Sequence, residues 1–178
     1  RQWYQQPVAV LDHDFPSDAK GLAIPYGIYD FCRNEGFVNL GTSRDTAEFA
    51  VASIRNWWRM IGSVKYPKAD HLLILADCGG SNGYRTRLWK QQLQASFADR
   101  FRVYVKVCHY PPGASKWNPI EHRMFSFISN NWAAHPLTDY ETVLKFIRTT
   151  KTSAGLKIRA ALHTKQYKKG IRICDKQM

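Results

Sequence analysis

Two acidic residues stand at positions suited to chemistry on phosphate. Asp77 closes "HLLILAD" and is followed at once by "CGGSNGYR"; Glu121 lies in "SKWNPIEH". A carboxylate at the end of an apolar strand sits where α/β sheets hold ligands. Buried without a partner it would cost several kcal/mol, so it must be solvated, hydrogen-bonded or bound to a cation. The competing reading of Asp77 is an Asx-type turn onto Gly79 and Gly80. Glu121 has two readings as well. Asn118-x-x-Glu121 has capping-box spacing, which would fold the side chain back onto the helix start. Alternatively, the carboxylate lies free beside the helix mouth. Two such carboxylates can hold divalent cations, which prefer oxygen ligands and bridge phosphate oxygens. "GGSNGYR" is a poor phosphate loop, because the lysine after the last glycine is missing.

The neighbours of Glu121 point to nucleic acid. Lys116, Trp117, Asn118 and His122 crowd one helix start, offering a cation, an aromatic platform and an amide to a backbone and an unstacked base. Trp117 also reads as a helix-entry staple, and His122 as an ordinary surface histidine. The net charge of +12 and pI near 9.7 call for a polyanionic partner. From Lys145 to Lys176 there are ten basic residues, Lys165, Lys168 and Lys169 among them, against the single acid Asp175. That run is either a phosphate-tracking surface or a solvated basic tail.

These residues need a scaffold. "AIPYGIYDF" and "GFVNLGT" read as two strands around a hairpin turn closed by Gly36. Residues 45–61 carry apolar side chains at three- and four-residue steps, with Asp45 and Glu48 as a capping box and Gly62 as a stop. "HLLILAD" reads as a strand buried on both faces. "GYRTRLWKQQLQASFADR" is a helix, and "FRVYVKVCHY" a strand ended by Pro111-Pro112-Gly113. "NPIEHRMFSFISNNW" is a helix capped by Asn118 with Pro119 in its first position, and "DYETVLKFIRTT" is another. "GLKIRAAL" and "GIRICD" pair as a terminal hairpin. The order implies an α/β mixed sheet with helices on its faces. No run of apolar residues reaches membrane length, and nothing at the start resembles a signal peptide. The four cysteines lie far apart, without zinc spacing.

Five stretches taken together carry a resemblance: "HDFP", "AIPYGIYDFCRNEGFVNLGTSRDTAEFAVASIRNWW", "ADCGGSNGYRTRLWK", "CHYPPGASKWNPIEHRMFSFISNNW" and "TSAGLKIRAALHTKQYKKGIRI". In order, and across nearly the whole chain, they resemble the Rhodopirellula-type DDE transposase domain of bacterial insertion sequences. "NPIEH" is also similar to the third-acid segment of mariner-like transposases.

The resemblance implies an RNase H-like fold over residues 1–178, with 151–178 as a basic C-terminal extension. It implies two aspartates and a glutamate holding two Mg²⁺ or Mn²⁺ ions. By position, the second acid is Asp77 and the third Glu121, with 43 residues between them. The first aspartate belongs to a central strand expected ahead of "HDF", so the expectation is a chain lacking its amino-terminal part, with that strand missing or replaced. Asp14 in "LDHDF" is then a candidate third metal ligand, and Asp12 and Asp30 are its local rivals. The implied partners are transposon-end and target DNA, with a homo-oligomer assembled on it and no membrane, in the bacterial cytoplasm at the nucleoid. The implied activity is DNA cleavage and strand transfer, with nonspecific binding and poor cleavage expected of this chain alone. Alternatives are an inactive nucleic-acid-binding remnant and a stand-alone RNase H-like nuclease.

Overall fold

The computed structural model describes residues 21–174. Asp12 and Asp14, with the rest of "VAVLDHDF", and Asp175 and Lys176 lie outside the described residues. The chain divides into two compact units, Arg1–Thr42 with Pro119–Thr164 and Ser43–Asn118 with Lys165–Met178.

In the first unit, β1 (Ile24–Asp30) and β2 (Glu35–Gly41) form an antiparallel hairpin. The turn is made differently from the sequence expectation. Asp30 Oδ1 accepts from the N–H groups of Cys32 and Arg33, both at 3.1 Å, and Asn34 takes the left-handed conformation at φ 52°. A short polar side chain tolerates that conformation. Gly36 instead lies within β2, where a Cβ would come 2.5 Å from Met124 Sδ. It is a packing glycine, and Asp30 is a turn residue.

The expected terminal hairpin is not formed either. "GLKIRAAL" supplies β5 (Lys157–His163), which pairs in parallel with β2, while the described part of "GIRICD" is not a strand. With neighbours on both sides, β2 is the central strand, and Phe37, Val38, Asn39 and Leu40 are fully buried. Helix α3 opens at residues 119–120, as the sequence expects, passes through a π-helical turn, Glu121–Phe125, and continues through Ser126–Trp132. Helix α4 (Tyr140–Thr149) begins at Asp139, whose carboxylate accepts from the Thr142 N–H at 2.8 Å. Val38, Leu40, Met124, Ile128, Leu144, Ile147 and Ile158 meet in one core beneath these helices.

In the second unit, α1 (Ala47–Trp57) is capped by Thr46, whose Oγ1 accepts from the Phe49 N–H at 3.3 Å. Thr46, not Asp45, therefore opens the helix. Nor does Gly62 stop it. The helix runs through a π-helical turn, Trp58–Gly62, to Ser63–Lys65, because Gly62 makes room for the Trp58 ring, 2.6 Å from where its Cβ would stand. A βαβ unit follows. β3 (His71–Ala76) lies parallel to β4 (Tyr104–His109), joined by α2 (Arg87–Leu93), which continues through Gln94–Ala98 and Asp99–Phe101. Arg102 ends α2 in the left-handed conformation.

Expected to be buried on both faces, β3 is instead covered on one. Leu73 and Leu75 are 59% and 54% exposed, while Leu72 and Ile74 are partly buried. The βαβ connection supplies one helix, which shields one face only. Among the described residues the elements make a mixed α/β fold with a mixed sheet and four helices, compatible with an RNase H-like fold.

Ile147 is fully buried in the core of the first unit. Ile147→Ala should lower unfolding stability by about 2–5 kcal/mol through lost transfer energy and a residual cavity. Urea denaturation measures this; a loss well under about 1 kcal/mol would mean that the core relaxes around the gap.

Candidate active site

Asp77 follows the last residue of β3 directly, so the strand delivers its side chain to the carboxyl edge of the parallel pair. The side chain is exposed, and its position is set by another segment. Asn118 is buried, and its Nδ2 donates to Asp77 Oδ1 at 2.9 Å. The amide therefore ties the "ADCGG" strand end to the "SKWN" segment of the same unit, leaving Asp77 Oδ2 outside that bond. The next residue, Cys78, donates its thiol hydrogen to the Tyr110 carbonyl beyond β4, a second link between the two strand ends.

Asp77 also lines a cavity of about 510 Å³, with Arg85, Tyr84 and the Pro111–Gly113 turn on its walls. The Arg85 guanidinium lies 5.2 Å from the centre of the Tyr84 ring. Sequence reasoning passed over this pair. The available signal was an aromatic residue beside an arginine straight after a glycine turn, but helix periodicity absorbed both.

Lys116 and Trp117 form a second such pair. The Lys116 ammonium stands 5.1 Å from the indole centre, and Trp117 is 70% exposed. That exposure argues against a packed staple and for a ring open to a partner. Glu121 opens the π-helical turn of α3 in the other unit, with its side chain exposed; the Glu121 carbonyl accepts from the Ser126 N–H. His122 is exposed on the same turn. The structure thus joins Asp77 to Asn118 and Lys116 to Trp117. Among the described residues, no group of three or more His, Cys, Asp or Glu side chains gathers as if around a metal ion.

The basic segment is anchored at Tyr167. Its N–H donates to Ser43 Oγ at 3.1 Å, and its ring is buried, tilted against Phe49 with centroids 5.9 Å apart. Lys165 lies over that ring at 5.3 Å, and Lys168 and Lys169 project into solvent. No described helix is long and apolar enough to cross a membrane.

The family model of the Rhodopirellula transposase DDE domain matches residues 1–178, the whole chain. The chain belongs to that family. No curated protein and no solved structure matches it. For the transposase domain, divalent metal is the usual requirement, and the donors present can be tested against it. Asp77 and Glu121 are exposed oxygen donors of the kind Mg²⁺ and Mn²⁺ accept. One Asp77 oxygen is oriented by Asn118, and outer-shell hydrogen bonds of this sort fix a ligating carboxylate. The two acids fit the ions chemically.

Burial pushes the Tyr167 phenol up to about 12, with Arg55 opposing the shift and Glu48 adding to it. A group whose folded pKa lies above its unfolded value near 10 contributes stability below pH 10. That contribution should be lost as pH rises from about 10 through 12. Thermal melts across that range should show a steeper fall for the native protein than for Tyr167→Phe; parallel falls would mean that the phenol ionises freely.

Proposed function

We propose that the chain acts as one RNase H-like catalytic domain over residues 1–178, cleaving insertion-sequence ends and transferring the strands to target DNA. The observation that carries this reading is the whole-chain family match. The Asn118–Asp77 bond supports it locally, because a turn aspartate would not need a buried amide from another segment to orient it.

In this reading Asp77 and Glu121 are the carboxylates that hold Mg²⁺ or Mn²⁺. Two such ions, when bound, supply Lewis-acid activation of the attacking oxygen and stabilisation of the leaving 3′-oxygen. Asn118 acts as a positioning residue, holding one Asp77 oxygen so that the carboxylate is not free to rotate. Lys116 and Trp117 contact the DNA backbone and an unstacked base, with His122 beside them. Lys165, Lys168 and Lys169 neutralise phosphates along the flank, which makes affinity fall with salt. Asp14 is the third ligand proposed from the sequence. The domain works in the bacterial cytoplasm on nucleoid DNA, and strand transfer between two ends calls for more than one copy on the DNA.

Asp77→Asn and Glu121→Gln should each reduce Mn²⁺-dependent cleavage and joining of terminal-repeat DNA by about 100-fold or more, since each removes part of a charge clamp worth several kcal/mol. Duplex binding in the absence of metal should stay within about twofold, because no phosphate-contacting cation is lost. Cleavage retained by both variants would overturn the assignment of these carboxylates.

A further inference from the structure

The Tyr84–Arg85 pair has no role in the reading above, yet it shares a cavity with Asp77. We infer that this cavity is a slot for a single unstacked nucleobase, held against the Arg85–Tyr84 stack beside Asp77. The inference deepens the transposase reading and rests on it.

The platform is rigid from behind. The Tyr84 ring stands edge-on to His109, with centroids 6.1 Å apart, and His109 Nε2 is paired with the Asn82 carbonyl at 3.0 Å. His109 is backed in turn by Trp89 at 6.0 Å, itself 1% exposed. Tyr84 is therefore braced by the partly buried His109 and is itself 41% exposed. An exposed ring braced in this way loses little conformational freedom on binding.

The walls suit a planar, anion-bearing ligand. A guanidinium lying on an aromatic ring presents a flat cationic face, on which bases stack, and N–H edges that reach phosphate. Opposite it are Pro111 and Pro112, which have no backbone N–H, and Gly113 at φ 78°, where a Cβ would meet nothing within 4 Å. That side is apolar and open. The volume of about 510 Å³ falls in the range of pockets that take nucleotide-sized ligands. A base within a duplex has both faces covered, so only an unpaired or extruded one can enter. A purely phosphate-binding role would need Arg85 but not the braced ring beneath it.

The test uses the whole chain in EDTA, so that no cleavage intervenes. Duplexes of one sequence carry 2-aminopurine either paired internally or unpaired at a frayed 3′ end. The expected result is quenching of the unpaired probe and about 5- to 150-fold tighter binding of frayed than of blunt DNA, the range that stacking of one base provides. Tyr84→Ala should sharply reduce both the quenching and the preference, to what Trp117 alone supplies, while binding blunt duplex as the native protein does; Tyr84→Phe should keep them. Arg85→Gln is a second exposed substitution and should weaken the preference too. An intact preference in Tyr84→Ala, or an equal loss on blunt and frayed DNA, overturns the slot and leaves the transposase reading standing. Failure of the native chain to bind any DNA overturns both.

Discussion

The hydrogen bond from Asn118 to Asp77 is the contact on which the candidate site depends. β3 can bring a carboxylate to the edge of a sheet, but a strand end fixes a Cα and not the direction of a side chain. The buried amide of Asn118 supplies that direction, and it comes from the segment that leads into α3. One polar contact thus connects the end of β3 to the segment that follows the Pro111–Gly113 turn. Its surroundings are arranged around the same edge: the Cys78–Tyr110 link, the Pro111–Gly113 turn and the Tyr84–Arg85 stack all lie where β3 and β4 end.

Much of the scaffold was legible because it follows from period and punctuation. The strand pair at 24–41, the apolar run ending at Asp77, the helices after Thr46, Thr86 and Asp139, and the alternation of "YVKVCH" all appear near their expected places. The differences share a cause: local chemistry has several solutions, and distant partners choose among them. Gly36 looked like a turn glycine, but the turn falls to Asn34 and Gly36 is kept small by Met124. Gly62 looked like a helix stop, but it accommodates Trp58 within a longer helix. "GLKIRAAL" was recognisable as a strand, but its parallel pairing with β2 spans more than a hundred residues of sequence, and no local signal records it.

The residues of the candidate site were open to reading only by position. Asp77 and Glu121 could be found as acids at element ends, and Trp117 as an aromatic among cations. The sequence left open whether Asp77 served a turn or a site, and Asn118 was expected only as a cap and a DNA contact. Its bond to Asp77 is a side-chain encounter across 41 residues, set by how β3 and the Pro111–Asn118 segment come together. The Tyr84–Arg85 pair was hidden for a different reason. Both residues satisfy the pattern of a helix entry, and their exposure and shared cavity become visible only in three dimensions.

The uncovered face of β3 has a consequence for the colloidal behaviour of the chain. Leu73 and Leu75 leave apolar surface facing water, a feature that favours self-association. The net charge of +12 opposes it, since like-charged copies repel beyond the range of apolar contact. A polyanion that neutralises the lysines removes the repulsion and leaves the leucines as they were. The basic charge therefore restrains copies from one another, and that restraint would relax wherever a polyanion neutralised it.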